Sequence, residues 1–214
     1  MLVGSRMTPN PITVTPDLSI SEAMEWMKRE QVRRFPVLNK AGKLIGIVTD
    51  DDLVHATPSS ATSLSMWEVS YLLSKVTVGE VMTKDVVTIE EDCPLEKAAR
   101  MMADKKIGGM PVMRDDQVVG IITESDLFKV FLELFGAREK GVRLTVLAPY
   151  YKGSLAEISA AITKKGGNIL AMNVFLGEDP TNWGCYLKVS EISKDDLMEA
   201  VEPLVEKVVD VRET

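Results

Sequence analysis

The chain holds one histidine and two cysteines in 214 residues, and no block of lysine or arginine longer than a pair. Each scarcity removes a class of function. A hydrolase built on a nucleophile with a histidine base, or a zinc site of Cys and His ligands, needs more than His55, Cys93 and Cys185 provide, because the cysteines lie in separate segments without CxxC spacing. They read as ordinary buried thiols, and His55 as a solvated histidine near a helix end. With a net charge of −7 and no basic run, the chain is not expected to bind nucleic acid or an acidic membrane. No window approaches the ~20 consecutive apolar residues of a spanning helix, and the start MLVGSRMTPNPITV shows no signal-peptide pattern. The expectation is a cytoplasmic protein.

What the chain has is a repeat. The stretch Arg6 to Leu53 lies over Val81 to Leu127, offset by 75 residues from Met7 over Met82 and by 74 from Thr49 over Thr123. A repeat of this length signals one structural unit used twice. Each copy opens on Met-Thr and a short β-rich piece (ITVT, VVTI). An Asp-initiated helix follows, with apolar residues at helical spacing: Ile20, Ala23, Met24 and Met27 against Leu95, Ala98, Ala99 and Met102. A hairpin comes next, FPVLN and KLIGIVT around Lys40-Ala41-Gly42, or MPVMR and QVVGIIT around Asp115-Asp116. A second helix opens at Thr49 or Thr123. Units of roughly fifty residues bury a sheet poorly alone, so the two copies are expected to pack about a pseudo-twofold axis. Between them, residues 55–65 read as a loop and 66–76 as a helix.

The doubled octapeptides GIVTDDDL and GIITESDL carry T-x-x-D before an apolar helix. Thr caps the free amides and Asp returns the bond, which is a structural explanation complete in itself. A functional one stands beside it. A helix N-terminus seats phosphate, and an acid one turn in accepts bonds from ribose hydroxyls. Arg33 and Arg34, just before the first hairpin strand, are either solvated cations or phosphate ligands. Gly108 and Gly109 occupy the matching positions of the second copy, where they either permit a tight turn or make room for ligand.

The paired Met-Thr openings, the R/G-h-P-V strands and the G-h-h-T-x-x-D ends together resemble CBS domains. These form tandem (Bateman) modules that bind adenosine-containing ligands between their sheets. The resemblance implies one cleft built from Thr123 and Asp126 with Thr8, Pro11, Ile12 and Thr13, Arg34 being nearby. The mirror cleft would use Thr49 and Asp52 with Thr83, Val86, Val87 and Thr88, and Gly109 falls among the ligand-side residues. Asp50 and Asp51 add negative charge to the first motif, so the Thr123/Asp126 cleft is expected to fill first. The implied ligand is AMP, ADP or ATP, with S-adenosylmethionine as the alternative. No metal or other cofactor is implied, and Mg²⁺ would enter only with a nucleotide.

After Gly136 the pattern changes. VRLTVLAP, then the helix in YYKGSLAEISAAITKKGGNIL, the strands LAMNVFL and WGCYLKVS, the helix KDDLMEAVEPLVEK and the strand VVDVRE read β-α-β-β-α-β. The matches Gly153, Leu155, Ile158, Gly167, Asn168 and Ile169 make this unit similar to an ACT domain. Tyr150 or Tyr151 stands where that family commonly has Asp. The resemblance implies pairing between chains and, through Gly153, Leu155, Asn168 and Ile169, an interface or amino-acid site. The expected fold class is therefore α+β, with CBS repeats at 1–60 and 61–135, a linker at 136–141 and an ACT-like unit at 142–214. This order resembles the AcuB-type acetoin-utilisation proteins. A non-catalytic regulatory homodimer acting on an unknown target protein is the expectation. A ligand-free scaffold and, last, a nucleotide hydrolase are the alternatives.

Overall fold

The computed structural model describes residues 1–57, 71, 73–178 and 180–214; most of the loop expected over 55–65 and of the helix expected over 66–76 lies outside them. The chain is mixed α and β and divides into two units, Met1–Leu127 and Phe128–Thr214.

In the first unit, strands β2 (Arg34–Leu38) and β3 (Leu44–Thr49) form one antiparallel hairpin. Strands β1 (Thr8–Pro9), β4 (Ile89–Glu90), β5 (Gly109–Arg114) and β6 (Gln117–Thr123) form a four-stranded sheet in the order β1-β6-β5-β4. Helices Ile20–Glu30 and Leu95–Lys105 bury Ile20, Ala23 and Met27, and Leu95, Ala98 and Met102, the faces expected from their spacing. Met24 instead packs at the border of its core, only partly buried. The expected Asp starts are corrected. Ser19 caps the first helix in a reciprocal box with Glu22, whereas Pro94 precedes the second without any side-chain cap. Serine at the N-cap with Glu three residues on is a stronger pair of partners than an Asp lying farther upstream. The Asp115-Asp116 turn has positive φ at both residues, 47° and 63°, the geometry that matches strand twist in a two-residue hairpin.

The repeats exchange their leading segments. Thr8 and Pro9 of the first copy pair with Ile121 and Gly120 of the second. Thr83 of the second bonds Ile47 of the first in both directions, each N···O distance 2.9 Å. Further upstream, the amide of Val3 donates to the Cys93 carbonyl at 2.9 Å, and that of its counterpart Val78 to Leu18 at 2.8 Å. Both valines are fully buried. The Met that opens each segment lies on a glycine of the opposite copy: a Cβ on Gly46 would overlap the Met82 sulfur, and one on Gly120 the Met7 sulfur. The Met-Thr and G-h-h-T marks of the repeat are thus two sides of one contact.

The second unit is a four-stranded antiparallel sheet in the order β10-β7-β9-β8, with β7 at Val142–Pro149, β8 at Asn168–Leu176, β9 at Asn182–Ser190 and β10 at Lys207–Glu213. Helices Ser154–Lys164 and Lys194–Val201 cover one face, and Val142, Leu144, Val146, Ile158, Ile162, Leu187 and Leu197 are buried between. The last helix was expected to run on through 207. It ends at Val201 and tightens into a 3₁₀ turn, Glu202–Leu204, because Pro203 cannot donate to the α ladder. On the other face Phe135 stacks on Tyr186 at 4.9 Å, and the Tyr186 hydroxyl donates to the Phe135 carbonyl at 2.8 Å. Cys185 is buried, which pushes its thiol up to about 11; Cys93 is partly exposed, unlike the buried thiol expected. Among the described residues no helix is long and apolar enough to cross a membrane.

The exchange contact sets a test. Gly46→Ala forces Met82 off the hairpin and is expected to destabilise the chain by about 1–3 kcal/mol. Combining it with Met82→Ala should cost less than the sum of the single changes, read from denaturant midpoints, because the two residues fill one space.

Candidate functional site

Both T-x-x-D motifs fold as helix caps. At the helix Asp50–His55, the Thr49 amide and hydroxyl donate to Oδ2 of Asp52 at 2.8 and 2.7 Å, and the Asp52 amide donates to Thr49 Oγ1 at 3.2 Å. At the helix Glu124–Leu134, the Thr123 amide and hydroxyl donate to Oδ2 of Asp126 at 3.0 and 2.7 Å, and Asp126 is buried. The first copy thus forms the reciprocal cap, and in the second Asp126 accepts both Thr123 donors in the same way. This leaves acceptor capacity, since a carboxylate offers about four lone-pair sites.

The exchange of segments opens a cavity of about 740 Å³ beside the first cap. The Thr83–Ile47 pairing carries Asp85, Val86 and Val87 to one wall, and the cap brings Thr49, Asp50, Asp51 and Asp52 to another. Arg33 and Arg34 stand just before β2, and Lys106 to Gly109 just before or at the start of β5. Of the residues expected at ligand, Arg34, Thr49, Asp52, Thr83, Val86, Val87 and Gly109 line this cavity. Thr8, Pro11, Ile12, Thr13, Thr88, Thr123 and Asp126 do not, although Thr8 on β1 pairs with Ile121 of β6, two residues before Thr123. Arg34, expected near the Thr123/Asp126 cleft, faces the Thr49 cavity together with Glu124, the residue next to Thr123.

Ile47, Asp85, Lys106 and Ile107 were not foreseen. The signal for Lys106 and Ile107 was their position: they precede Gly108-Gly109 as Gln31 and Val32 precede Arg33-Arg34. Gln31 and Lys106 both end their helices in the left-handed region, φ 54°, which turns the chain toward the hairpin strand.

The arginines and the glycines that replace them in the repeat meet. A Cβ on Gly108 would lie 2.9 Å from one terminal nitrogen of Arg34, and a Cβ on Gly109 would lie 2.6 Å from the other. Gly108 thus makes room for an arginine of the other copy, and Gly109 both for that arginine and for the Ile122 carbonyl of its own hairpin, which a Cβ would approach to 2.8 Å. Burial lowers the pKa of the Arg34 guanidinium from its ordinary value, opposed by the charges of Asp50 and Glu124; it remains cationic at any physiological pH. Its Nε is buried without a hydrogen-bond partner, a costly condition for a charged donor. Arg33 is more exposed and stands 3.8 Å from Asp50.

His55 caps nothing catalytic: its Nδ1 lies 2.8 Å from the Asp51 carbonyl in the same helix. Among the described residues no three His, Cys, Asp or Glu side chains converge as metal ligands. In the second unit, Gly153 adopts φ 103° ahead of the helix Ser154–Lys164, Leu155 and Ile169 pack against the core, and Asn168 is exposed at the start of β8. The structure thus gives Leu155 and Ile169 packing roles. Tyr150 stacks edge-on against Trp183 at 5.4 Å, and the Tyr151 hydroxyl donates to Glu157.

The CBS domain family model matches residues 3–59 and 78–133, more than half of the chain, and the chain belongs to that family. Three solved structures are similar over the pair. The CBS domain pair of protein MJ0100, in complex with 5′-methylthioadenosine and S-adenosyl-L-methionine, is 31% identical with a TM-score of 0.52, over 65% of this chain and 98% of that one. A Vibrio cholerae protein assigned to acetoin utilization (AcuB) is 31% identical with a TM-score of 0.53, over 65% and 96%. CBSX2 of Arabidopsis thaliana in complex with AMP is 29% identical with a TM-score of 0.52, over 61% and 96%. The chain spans only 23% and 34% of the length of two curated relatives, an L-aspartate semialdehyde sulfurtransferase and an inosine-5′-monophosphate dehydrogenase.

Thr49→Ala removes the cap beside the cavity and is expected to cost about 0.5–2 kcal/mol of stability without ligand. Thr49→Ser should restore most of it, as measured by chemical denaturation.

Proposed function

We propose that the chain is a non-catalytic regulatory protein that binds an adenosine-containing ligand in the cavity beside Thr49. The observation that carries this reading is the convergence there of a capped helix start, the Arg34 guanidinium, and the apolar Ile47, Val86, Val87 and Ile107. The apolar side chains flank a purine, Asp52 accepts from ribose hydroxyls, and Arg34 meets the far end of the ligand. AMP, ADP, ATP and S-adenosylmethionine are the candidates, supported by the AMP complex of CBSX2 and the S-adenosylmethionine complex of MJ0100. Because the cavity and Arg34 lie on the Thr49/Asp52 side, we place the first ligand there and treat the Thr123/Asp126 cleft as second. Ligand biases the arrangement of the repeats by its differential affinity for the two arrangements.

The second unit serves, in this reading, as an ACT-like dimerising element. Its outer strand β8 leaves Phe175 49% and Leu176 94% exposed, an apolar edge of the kind that proteins cover. The similarity to the Vibrio cholerae protein favours a role in acetoin utilisation, with the regulated target a separate protein.

Two measurements test these parts separately. Titration of the four ligands with melting curves should show at least one raising the melting point, since a native-state site at about 100 times Kd adds ~2.7 kcal/mol. Asp52→Ala should lose most of that gain. No response to any of them would reduce the pair to a scaffold. Light scattering at micromolar concentration should give twice the 23.6 kDa chain mass; a monomer would remove the dimerising role.

A further inference from the structure

The helix Glu124–Leu134 belongs to both units, since the first unit ends at Leu127. Its first residue lines the cavity beside Thr49, and the Glu124 amide donates to the Gly108 carbonyl at 3.2 Å. Its last turn is held within the second unit. There Nδ2 of Asn173 donates to the Leu134 carbonyl at 3.0 Å, and the Tyr186 hydroxyl donates to the Phe135 carbonyl at 2.8 Å. Asn173 and Tyr186 stand directly opposite each other on β8 and β9, and the next such pair is Ala171 and Lys188. Gly136 sits over that second pair: a Cβ there would lie 3.3 Å from Cγ of Lys188 and 3.7 Å from Cβ of Ala171. The Phe135 ring rests on Tyr186, with Phe131 stacked on it at 4.4 Å. Two cross-strand pairs thus form a socket for one helix end.

The helix is closed without the socket. Gly136, at φ 55°, ends it in a Schellman turn: the Gly136 amide donates to the Glu133 carbonyl at 3.0 Å and the Ala137 amide to that of Leu132 at 2.9 Å. The carbonyls of Leu134 and Phe135 are left over, and water would satisfy them as well as the sheet does. Asn173 and Tyr186 therefore attach a helix that is already complete. From this we infer that the socket is the output of the cavity: a ligand acting on Glu124 shifts the start of the helix, and the closed far end makes or loses its bonds to Asn173 and Tyr186. The inference rests on the proposed adenosine reading and names the regulation of that same site. A ligand charge attracts or repels the Glu124 carboxylate, and an α-helix carries a displacement of its first residue to its last, about 15 Å away. At the socket the response is discrete, because two hydrogen bonds and a ring contact are formed together or not at all. The match to the CBS family ends at residue 133, so the socket lies in the part of the chain that the match does not reach.

The test is hydrogen–deuterium exchange of the full chain with and without AMP or S-adenosylmethionine, with occupancy followed by calorimetry. In the wild type, occupancy is expected to change exchange by about fivefold or more both in the helix end, residues 131–137, and around the socket, residues 171–175 and 184–188. In Asn173→Ala combined with Tyr186→Phe the ligand should still bind and the helix still respond, while β8 and β9 no longer do. Tyr186→Phe alone keeps the ring on Phe135 and should already weaken the response, so the test stands if the double variant fails to fold. Ile162→Val weakens the same unit from its helical face and should leave the response intact, which separates the socket from mere loss of stability. An occupied cavity with unchanged exchange in β8 and β9, or a response that survives in the double variant, would overturn the socket while leaving an adenosine site standing. Failure of both ligands to bind the folded wild type would overturn the adenosine reading itself, and the socket with it.

Discussion

The first unit depends on one exchanged contact: a methionine from each copy lying where a glycine of the other has no side chain. Met82 on Gly46 and Met7 on Gly120 let the following Thr83 and Thr8 reach the opposite hairpin and pair with it. Neither copy is complete without this. Val78 fills the core beneath the first hairpin, although in sequence it opens the second copy. The buried Val3, conversely, reaches the second copy through its bond to Cys93. Separating the copies would expose both valines and unpair both edges, so the pair is one folding unit in energetic terms.

The same contact makes the cavity. By pairing with Ile47, Thr83 places Asp85, Val86 and Val87 opposite the Thr49 cap, so apolar walls come from one copy and polar groups from the other. The charge there is asymmetric because the copies differ where they touch. Arg33-Arg34 against Gly108-Gly109 puts all the arginine on one side, and a cation half-buried between two helix starts is held by Asp50 and Glu124 without a hydrogen bond at its Nε.

Some elements were legible because local chemistry decides them. The helices Ile20–Glu30 and Leu95–Lys105 followed from apolar spacing, the hairpins from their turns, and the T-x-x-D caps from a bond that spans three residues. The misread boundaries had local causes too. Ser19 outcompeted an earlier Asp as cap, and Pro203 ended the α ladder at Val201. The site was half legible. Thr49, Asp52 and Thr83 were singled out through the repeat and its family likeness and line one cavity, and Arg34, singled out for the other cleft, lines it too; Ile47, Lys106 and Ile107 carry no motif and are set there only by the fold.

By itself the sequence determined that a unit is used twice, that its helices face a core and that a different β-α-β-β-α-β unit follows, since periodicity and turn chemistry act within a few residues. Only the tertiary structure decided which segment completes which copy and on which side the cavity opens. It also decided that Gly108 and Gly109 stand against the guanidinium of Arg34. Those outcomes depend on contacts between residues far apart in the chain, Gly108 with Arg34 at 74 positions and Gly46 with Met82 at 36 among them. Steric exclusion at such a contact leaves no periodic trace in the chain; the glycine and its cause are read together only once the fold has brought them into van der Waals contact.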